Sequence, residues 1–524
     1  MLSIKRFSAY LILLALLQIC VAVLNSCNEQ YRNKSHENIS VASIERGKEL
    51  AAKYCQSCHS LPDPASLDAT TWEKGVLPVM GPQLGVFEHN FQHYPSLRND
   101  KYLDKNAYPS KPMLTKGQWQ NIIDYYTATS PDTLEKQNRK KEIEIGLSLF
   151  TVQQPAINYT QAITSFVSIN PVGVRYPLVV SDAFKNKTYF LNKDLSVADS
   201  FSTSGPTVGI EFRQNDLLCC NIGMLHPNNG KFGKGQLIHP DKHGKYKEDG
   251  KALIDSLLRP VQISSADFNR DGKQDYLVCE FGFATGALSW LENTGAGYKR
   301  HVIKALPGAI KAYIEDANKD GLADIWVLFA QGLEGIYLYI NNGDGKFNGK
   351  EVLSFPPVYG SSFFELVDFN RDGLKDIVYT CGDNADYSKV LKPYHGVYIF
   401  LNKGGDKFEQ TFFFPINGCY KALARDYDKD GDLDIAAIAF FADYQNQPEE
   451  SFVYLRNDGD NKFHPSSFLE SKNGRWLTMD AGDIDGDGLT DLVLGNFAMD
   501  DVGVNTKTGW AKSPPFIVLK NTGK

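Results

Sequence analysis

The sequence lacks several features that would place it in common functional classes. Its most apolar segment, residues 11–24, is short for a membrane span, which favours a signal peptide. It contains no Gly-rich phosphate loop, no hydrolase triad signature and no flavin fingerprint. An excess of positive charge is also lacking, since 62 Asp and Glu residues outnumber 55 Lys and Arg residues and the net charge is −7 at pH 7. A nucleic-acid partner, which needs a basic face, is therefore not expected.

A disulfide framework is also missing, although the chain has nine cysteines. Two lie near the N-terminus, at Cys20 and Cys27, and two more lie three residues apart at Cys55 and Cys58. The remaining five follow no regular spacing, so we interpret most of them as small buried apolar side chains. These five are Cys219, Cys220, Cys279, Cys381 and Cys419.

The N-terminus reads as an export signal. Lys5 and Arg6 precede the apolar segment, and residues 24–27, Leu-Asn-Ser-Cys, resemble the lipobox of bacterial lipoproteins. The resemblance implies that residues 1–26 are a signal peptide and that Cys27 is lipidated. The protein is then exported and lipid-anchored to the bacterial envelope, on the periplasmic side or at the outer-membrane surface. Plain secretion and a retained anchor helix are the alternatives. Residues 27–43 are predicted to be a polar, disordered tether.

Residues 55–59 read Cys-Gln-Ser-Cys-His, the C-x-x-C-H pattern. Two thiols one turn apart can bond covalently to the two vinyl groups of one haem, and the following imidazole can bind its iron. A zinc site is disfavoured, because no second Cys/His pair at zinc spacing follows. The motif therefore predicts a covalent haem c held by Cys55, Cys58 and His59.

Residues 44–133 resemble a class I cytochrome c domain, with a helix before the motif and a closing helix near residues 115–126. The resemblance implies that His59 is the proximal ligand and a methionine the distal one. Met80 is favoured, because residues 72–81 resemble a segment of haem domains that are fused to propellers. Met113 is the main alternative for the distal position, and His89 or His93 is a further one.

A nine-residue pattern, D-x-[DN]-x-D-G-x-x-D, occurs five times, starting at residues 267, 316, 368, 426 and 483. A spacing of roughly fifty residues indicates stacked supersecondary units. Alternating oxygen side chains along a tight loop are typical ligands of Ca²⁺. An EF-hand is excluded, because position 12 is never Glu and an apolar strand, not a helix, follows each loop.

We therefore predict about five Ca²⁺ sites, with side-chain ligands at positions 1, 3, 5 and 9 of each loop. Position 7 supplies a backbone carbonyl, and the glycine at position 6 permits the sharp turn. The predicted ligands are Asp267, Asn269, Asp271, Asp275, Asp316, Asn318, Asp320, Asp324, Asp368, Asn370, Asp372, Asp376, Asp426, Asp428, Asp430, Asp434, Asp483, Asp485, Asp487 and Asp491.

Each unit reads as four strands with an Asn-Gly-type hairpin turn, which is the pattern of a propeller blade. The units resemble the FG-GAP/VCBS repeats of integrin-type propellers over about residues 255–524. Two upstream units without the metal loop bring the expected number of blades to seven, with six or eight as alternatives. The last unit stops one strand short, so residues near 145–152 are predicted to close the ring.

The expected fold is therefore multidomain: a small all-α cytochrome c domain at residues 44–133, followed by an all-β propeller at residues 143–524. Lys311, Lys421 and Arg475 lie near the starts of first strands and are candidates for lining the mouth of the central channel. Ordinary solvated charge is their alternative interpretation.

Three functions remain open. In the first, an electron-transfer haem serves a propeller that docks a redox partner protein or a small-molecule substrate. In the second, the propeller is a non-catalytic surface module that binds a glycan or a protein, with the haem as an accessory relay. In the third, the haem itself is an enzyme centre for a small ligand. No motif in the sequence indicates that the protein is a self-contained enzyme, so an electron-transfer module is the preferred interpretation.

Overall fold

The computed structural model describes residues 32–157, 161–170, 175–214, 216–248, 252–343, 345–385, 387–459, 461–499, 510 and 513–523. The predicted signal peptide and the predicted lipidation site Cys27 lie outside the described residues. Among the described residues, no helix combines the length and the apolar composition that crossing a bilayer requires.

The described N-terminal part is a helical domain. Its three main helices are an opening helix, Val41–Tyr54, a middle helix, Leu77–Gln83, and a closing helix, Lys116–Thr129. Shorter elements connect them: Lys34–His36, Cys55–Ser57, Pro64–Ser66, Ala69–Thr71, the π-helical turn Trp72–Val76, and a hairpin of Glu88–His89 with Gln92–His93.

The opening and closing helices cross at Gly47. A Cβ built on Gly47 would lie 1.8 Å from the carbonyl oxygen of Asn121, so only glycine permits this close approach. Thr115 and Gln118 form a capping box at the start of the closing helix. The face of this helix predicted from periodicity, which includes Trp119 and Ile122, is buried in the core of the domain.

Part of the predicted tether belongs to this domain. The opening helix begins at Val41, and its Ser40 cap accepts a hydrogen bond from the amide of Ser43. Asn33 is buried, with its amide donating to the carbonyl of Ala128 at 2.8 Å and its side chain donating to the carbonyl of Ser130 at 2.9 Å. The described residues from Asn33 onward are therefore packed on the closing helix and do not form a disordered tether.

Seven antiparallel sheets follow and form a seven-bladed β-propeller. The bounds of the strands, blade by blade, are these. Blade 1 has Thr164–Ile169, Leu178–Asp182, Lys187–Leu191 and Val197–Ser202. Blade 2 has Thr207–Phe212, Leu217–Asn221, Gly233–Pro240, Tyr246–Glu248 and Ile254–Leu257. Blade 3 has Pro260–Ala266, Asp275–Glu280, Ala287–Asn293 and Tyr298–Lys304. Blade 4 has Ala309–Glu315, Asp324–Phe329, Gly335–Asn341 and Phe347–Ser354.

The metal-loop pattern continues through the last three blades. Blade 5 has Ser361–Val367, Asp376–Cys381, Gly396–Asn402 and Phe408–Pro415. Blade 6 has Cys419–Arg425, Asp434–Ala439, Phe452–Asn457 and Phe463–Ser467, with the short turns Pro448–Ser451 and Leu469–Asn473 beside it. Blade 7 has Trp476–Gly482, Asp491–Asn496 and Phe516–Asn521.

Chain segments before the first blade complete the last two blades. Phe150–Gln153 pairs antiparallel with Phe516–Asn521 as the fourth strand of blade 7. This confirms the predicted ring closure by residues near 145–152. A second pairing was not predicted: Glu144–Ile145 adds a parallel edge to the outer strand of blade 6. Both pairings cover strand edges that would otherwise be open.

The core of the propeller is a ring of apolar layers, one between each pair of neighbouring blades. The second strand of each metal-loop blade is buried along its whole length. Its side chains alternate between the two faces of the sheet and fill the layers on both sides. A continuously apolar second strand is therefore what this arrangement requires.

Replacing Phe150 with alanine is expected to lower the free energy of unfolding by about 3–5 kcal/mol, because it empties a buried site on the closing strand. The Phe150 ring lies 5.9 Å from the Tyr427 ring and 5.7 Å from the Tyr454 ring, centroid to centroid. Denaturant titration of the Ca²⁺-loaded protein measures the change. The exposed neighbour Thr151 is the matched control, and an equal loss in Thr151→Ala would contradict a packing role for Phe150.

Candidate cofactor segment and metal loops

The C-x-x-C-H residues follow directly from the opening helix. Cys55–Ser57 form a single tight turn, and the amide of Cys58 donates to the carbonyl of Cys55 at 3.5 Å, which places the two cysteines about one turn apart. Neither thiol is in a disulfide. Burial, and then the nearby Cys58, raise the pKa of the Cys55 thiol to about 11.

The imidazole of His59 is oriented by the backbone. Its Nδ1 lies 2.8 Å from the carbonyl oxygen of Ser60, so Nδ1 donates and Nε2 keeps its lone pair. The side chain is half-buried. Histidines that bind metals are usually oriented in this way, through a hydrogen bond from the second ring nitrogen. The donor set of two free thiols and one oriented imidazole therefore fits a covalent haem.

The candidates for the distal ligand differ in their surroundings. Met80 is half-buried in the middle helix, whereas Met113 is 47% exposed. The His89 side chain is buried, with its Nε2 held 2.7 Å from the Gln120 amide oxygen. His93 is 86% exposed beside Glu88. Of the four, Met80 alone is partly buried and has a side chain without a competing polar partner among the described residues.

The helix that carries Met80 is connected to the cysteines by aromatic packing. Trp72 donates from its indole to the Pro64 carbonyl at 2.8 Å, and its ring lies 4.4 Å from that of Tyr126. The Cys55 thiol is close enough to Tyr126 to raise the pKa of its hydroxyl, in addition to the larger effect of burial. The π-helical turn at Trp72 ends just before Pro78, which has no amide hydrogen to continue regular hydrogen bonding.

In four of the five metal loops, the carboxylate at position 1 accepts hydrogen bonds from backbone amides of the same loop. In the second loop the amides of Asp320 and Gly321 donate to the two Asp316 carboxylate oxygens, at 3.0 and 2.7 Å. The glycine at position 6 has a positive φ in every loop, between 78° and 104°. The prediction of a sharp turn at this position is therefore confirmed in all five loops. No ion is needed to explain the backbone path, but the clustered carboxylates would repel one another without one.

The Asp at position 9 has a second role that the sequence reading missed. In blade 4, one Asp324 oxygen accepts from the Ala317 amide at 2.9 Å, and the other accepts from the Asn341 amide at 2.8 Å. Asn341 begins the turn after the third strand, and its side chain accepts from the Gly343 amide. The hydrogen bond from the Asn amide to the position-9 Asp, called the Asp–Asn clamp below, recurs in all five blades. The pairs are Asp275 with Asn293, Asp324 with Asn341, Asp376 with Asn402, Asp434 with Asn457, and Asp491 with Asn521.

The Asp–Asn clamp joins each metal loop to the hairpin turn of its own blade. The position-9 carboxylates are buried, and the Oδ1 atom of each accepts one hydrogen bond, from the backbone amide of the Asn, and so retains a lone pair for an ion. The recurring Asn was visible in the sequence as part of a turn. Its hydrogen bond to the metal loop was not visible, because the Asp and the Asn are 17 to 30 residues apart and meet only across the sheet.

Two loops bring three carboxylates especially close. Oxygen atoms of Asp426, Asp428 and Asp430 lie within 4.8 Å of one another, as do those of Asp483, Asp485 and Asp491. These are the loops with Asp at position 3, where the first three loops have Asn269, Asn318 and Asn370. Because an added negative ligand strengthens Ca²⁺ binding, these two loops are expected to bind the ion most tightly.

An apolar cluster fills the channel mouth at the end of the ring opposite the metal loops. It includes Leu225 of blade 2, Phe440 and Phe441 of blade 6, and Phe497 of blade 7, and it is called the apolar plug below. Burial raises the pKa of the Tyr420 hydroxyl in blade 6, and the guanidinium of Arg259, which lies just before blade 3, lowers it in part. Blades 3 and 6 are not neighbours, so this pair lies across the channel.

The three cations predicted near the channel mouth therefore have different positions. Arg475 is 2% exposed, donates to the Phe440 carbonyl at 3.0 Å and stacks on the Phe440 ring at 3.9 Å. It is buried in the apolar plug and does not line an open mouth, so that prediction is wrong for Arg475. Lys311 and Lys421 lie on the third residue of their inner strands, further along the channel.

The helical domain sits on the same end of the ring. Ser66 accepts a hydrogen bond from the Tyr394 hydroxyl at 3.0 Å, and Asp100 accepts one from the Asn229 side chain at 2.8 Å. Blades 5 and 2, which supply these partners, are far apart around the ring. The domain therefore bridges the end of the ring that the apolar plug closes, and its core also packs against Val358 and Val390 of the propeller.

Replacing Gly75 with valine is expected to undock the helical domain without unfolding either part. A Cβ at Gly75 would lie 2.4 Å from the carbonyl oxygen of Tyr387 on the propeller. Limited proteolysis should then cut residues 131–143 at least tenfold faster, because docking no longer protects the connection. Gly117→Val is the control for helix propensity, since a Cβ at Gly117 meets no atom within 4 Å. Equal cutting of the two variants would contradict the contact.

Comparison with known proteins agrees with the repeat architecture. Residues 316–379 and 426–494 match the FG-GAP-like repeat family, and four of the five metal loops lie in these segments. Cartilage acidic protein 1 of Homo sapiens is 30% identical over 166 residues, which are 30% of this chain and 24% of that protein. Its Mus musculus counterpart matches equally, so the chain aligns with about a quarter of the length of these relatives.

Among solved structures, Sqt1 of Saccharomyces cerevisiae superposes with a TM-score of 0.41 at 7% identity, covering 73% of this chain and 100% of that chain. The family match and the seven sheets together show that the chain carries FG-GAP-like repeats within a seven-bladed β-propeller.

Proposed function

We propose that this protein is an exported, lipid-anchored electron-transfer protein. Cys55 and Cys58 hold a covalent haem c, His59 and Met80 bind its iron, and a Ca²⁺-loaded propeller docks a redox partner protein or a small-molecule substrate. When bound, the haem supplies one-electron transfer. The observation that carries this proposal is the pair of free thiols one turn apart, followed by an imidazole whose Nε2 is free.

The residues of the chain have separate tasks in this proposal. The thiols fix the haem so that it cannot be lost after export, and the Ser60 carbonyl fixes the His59 ring. Trp72 and Tyr126 pack beside Cys55 and exclude water from that side. The contacts of Ser66 and Asp100 with the propeller hold the helical domain at a fixed place on the ring, so that a partner docked on the propeller meets the haem in a defined orientation.

Expression of the full chain in a host that matures c-type cytochromes tests the proposal. The mature protein is expected to be coloured, and its haem should stay attached after denaturation. The Cys55→Ser/Cys58→Ser variant should lose the covalent haem. Cys279→Ser, which changes a buried propeller thiol, is the matched control and should keep it. A colourless wild-type protein with both Cys55 and Cys58 open to alkylation would overturn the haem assignment.

The distal ligand is tested by substitution. Replacing Met80 with alanine is expected to lower the midpoint potential, because thioether sulfur favours the reduced iron. Met113→Ala is the matched control and should leave the potential within error of the wild type. Potentiometric titration followed by visible spectroscopy measures both. The reverse outcome, with Met113→Ala alone shifting the potential, would transfer the ligand role to Met113.

A non-catalytic binding role for the propeller is the second candidate. It is favoured by the long polar connections after the second strands, which are where propellers commonly place binding sites. Two of these connections, residues 382–395 and 440–451, lie partly against the helical domain and the linker after it. Glycan or protein binding that is the same with oxidised and reduced haem would favour this role over redox docking.

A further inference from the structure

The third strand of each metal-loop blade carries a variable residue directly before the asparagine of the Asp–Asn clamp. At this position the strand runs beside the metal loop, because the asparagine amide donates to the position-9 carboxylate. The residue is Glu292 in blade 3, Ile340 in blade 4, Leu401 in blade 5, Arg456 in blade 6 and Lys520 in blade 7. Blades 6 and 7, which are the two blades with Asp at position 3 of the loop, thus have a cation here.

The two cations form different ion pairs. The Lys520 ammonium group pairs with the Oδ2 atom of Asp485, the predicted ligand at position 3 of the blade 7 loop. The Arg456 guanidinium pairs instead with Asp458 in the hairpin turn, with its Nε 2.9 Å from the Oδ1 atom. The Lys520 side chain is 34% exposed and that of Arg456 50%, so water screens the pair in blade 7 less. A predicted Ca²⁺ ligand of blade 7 is therefore paired with a cation of its own blade.

Two further lysines approach the blade 7 loop from neighbouring blades. Lys193 of blade 1 donates to the backbone carbonyl of Asp485, and Lys429 of blade 6 lies 3.8 Å from a Cβ built on Gly488. The acidic side chains of the loop are those of Asp483, Asp485, Asp487 and Asp491. Among the residues that the structure describes, Lys520 is the cation that forms an ion pair with one of these carboxylates.

The blade 6 loop is a matched comparison, because both loops have Asp at positions 1, 3, 5 and 9. In blade 6 the cation paired with a ligand comes from blade 5: the Arg371 Nη2 atom lies 4.0 Å from the Asp426 Oδ2 atom. The Arg371 side chain is 58% exposed, so this pair is long and well screened. The two loops therefore have the same ligands, but the blade 7 loop has the closer and less screened cation.

We propose that Lys520 is an internal counter-ion of the blade 7 loop, which lowers the Ca²⁺ affinity of this loop below that of the blade 6 loop. Ca²⁺ and the Lys520 ammonium group compete for the Asp485 carboxylate, and the two positive charges repel each other. When Ca²⁺ is scarce, Lys520 neutralises Asp485 in place of the ion. The inference rests on the Ca²⁺ sites proposed above and assigns the residue that sets the affinity of one of them.

Replacing Lys520 with methionine tests the proposal, because its effects with and without the ion should differ. In the full-length protein, titration with Ca²⁺ against a chromophoric chelator should show one site whose affinity rises about 3–10-fold. The melting temperature should fall in excess chelator, where Asp485 loses its counter-ion, and should change less in excess Ca²⁺. The rise in melting temperature that Ca²⁺ causes should therefore grow by about 1–3 °C. A merely structural role would lower both melting temperatures equally.

Three variants serve as controls. Lys520→Arg keeps the positive charge and should keep the wild-type affinities. Arg456→Met removes the cation at the equivalent position of blade 6, which pairs with Asp458, and should change no affinity by as much as about twofold. Asp485→Asn removes the carboxylate but keeps an oxygen ligand, as position 3 has in blades 3, 4 and 5. In that background Lys520→Met should have no further effect on the Ca²⁺ response.

The outcomes separate the counter-ion from the Ca²⁺ sites themselves. A wild type that binds no Ca²⁺ would overturn the sites, and the counter-ion with them. Ca²⁺ binding that is unchanged in Lys520→Met, or that Lys520→Met strengthens equally in the Asp485→Asn background, would overturn the counter-ion alone. If Lys520→Met does not fold, single substitutions rank the two loops, since Asp428→Asn should weaken a tighter site than Asp485→Asn does. The reverse ranking would also overturn the proposal.

Discussion

Replacing His59 with alanine is expected to abolish the low-spin visible spectrum of the haem while the propeller stays folded. The substitution removes the imidazole that the Ser60 carbonyl orients, whereas Cys55 and Cys58 can still hold the haem covalently. Within the described part of the chain, the propeller residues that pack on the core of the helical domain are the partly buried Val358 and Val390, so the blades keep their own cores. Visible spectroscopy of the purified protein, beside circular dichroism of the strands, measures the two effects.

His93→Ala is the matched control for the loss of an imidazole in the same domain. It is expected to leave the spectrum and the potential unchanged, because His93 lies 86% exposed on the hairpin. A spectral change in His93→Ala would assign it the distal position. An unchanged spectrum in His59→Ala would contradict the ligand role of His59, and with it the electron-transfer function built on this residue.

Removal of Ca²⁺ with a chelator is expected to lower the melting temperature of the propeller by about 10 °C or more. When the free Ca²⁺ concentration is a hundred times the dissociation constant, binding stabilises the folded state by about 2.7 kcal/mol per site, and the contributions of the five sites add. Without the ion, carboxylates such as Asp426, Asp428 and Asp430 face one another within 4.8 Å. The haem spectrum should scarcely change, because the loops lie at the opposite end of the ring.

Single substitutions locate the effect of the ion. Asp428→Asn should weaken the tightest class of sites and lower the melting temperature only when Ca²⁺ is present. Asp406→Asn, which changes an acidic residue of a hairpin turn in blade 5, is the control and should have no Ca²⁺-dependent effect. A melting temperature that is indifferent to the chelator would contradict all five sites, and the loops would then be acidic turns held by backbone hydrogen bonds.

Local spacing in the sequence was enough to predict most of the propeller. The five loops start about fifty residues apart, and each carries glycine where the backbone needs a positive φ, as at Gly321 and Gly373. The missing fourth strand of blade 7 predicted that an upstream segment closes the ring, and Phe150–Gln153 does so. These features depend on short-range backbone geometry and on the need to pair strand edges.

Contacts between distant segments escaped the sequence reading. The hydrogen bond between Asp324 and the Asn341 amide joins two strands of one sheet, and nothing in either residue alone indicates its partner. Arg475 looked like a surface cation but is buried on Phe440, because the first strands converge where the apolar plug fills the ring. The packing of Asn33 on the closing helix was missed because the polar composition of residues 27–43 is that of a solvated linker.

The sequence by itself determined the C-x-x-C-H pattern and the five loops, because both depend on residue types at fixed short separations; it favoured seven blades and left six or eight open. The tertiary structure decided where the helical domain docks, that the apolar plug closes one end of the channel, and that Arg475 is buried in this plug. Those outcomes depend on which residues meet across the ring, and the physical reason is that packing and desolvation act between segments hundreds of residues apart.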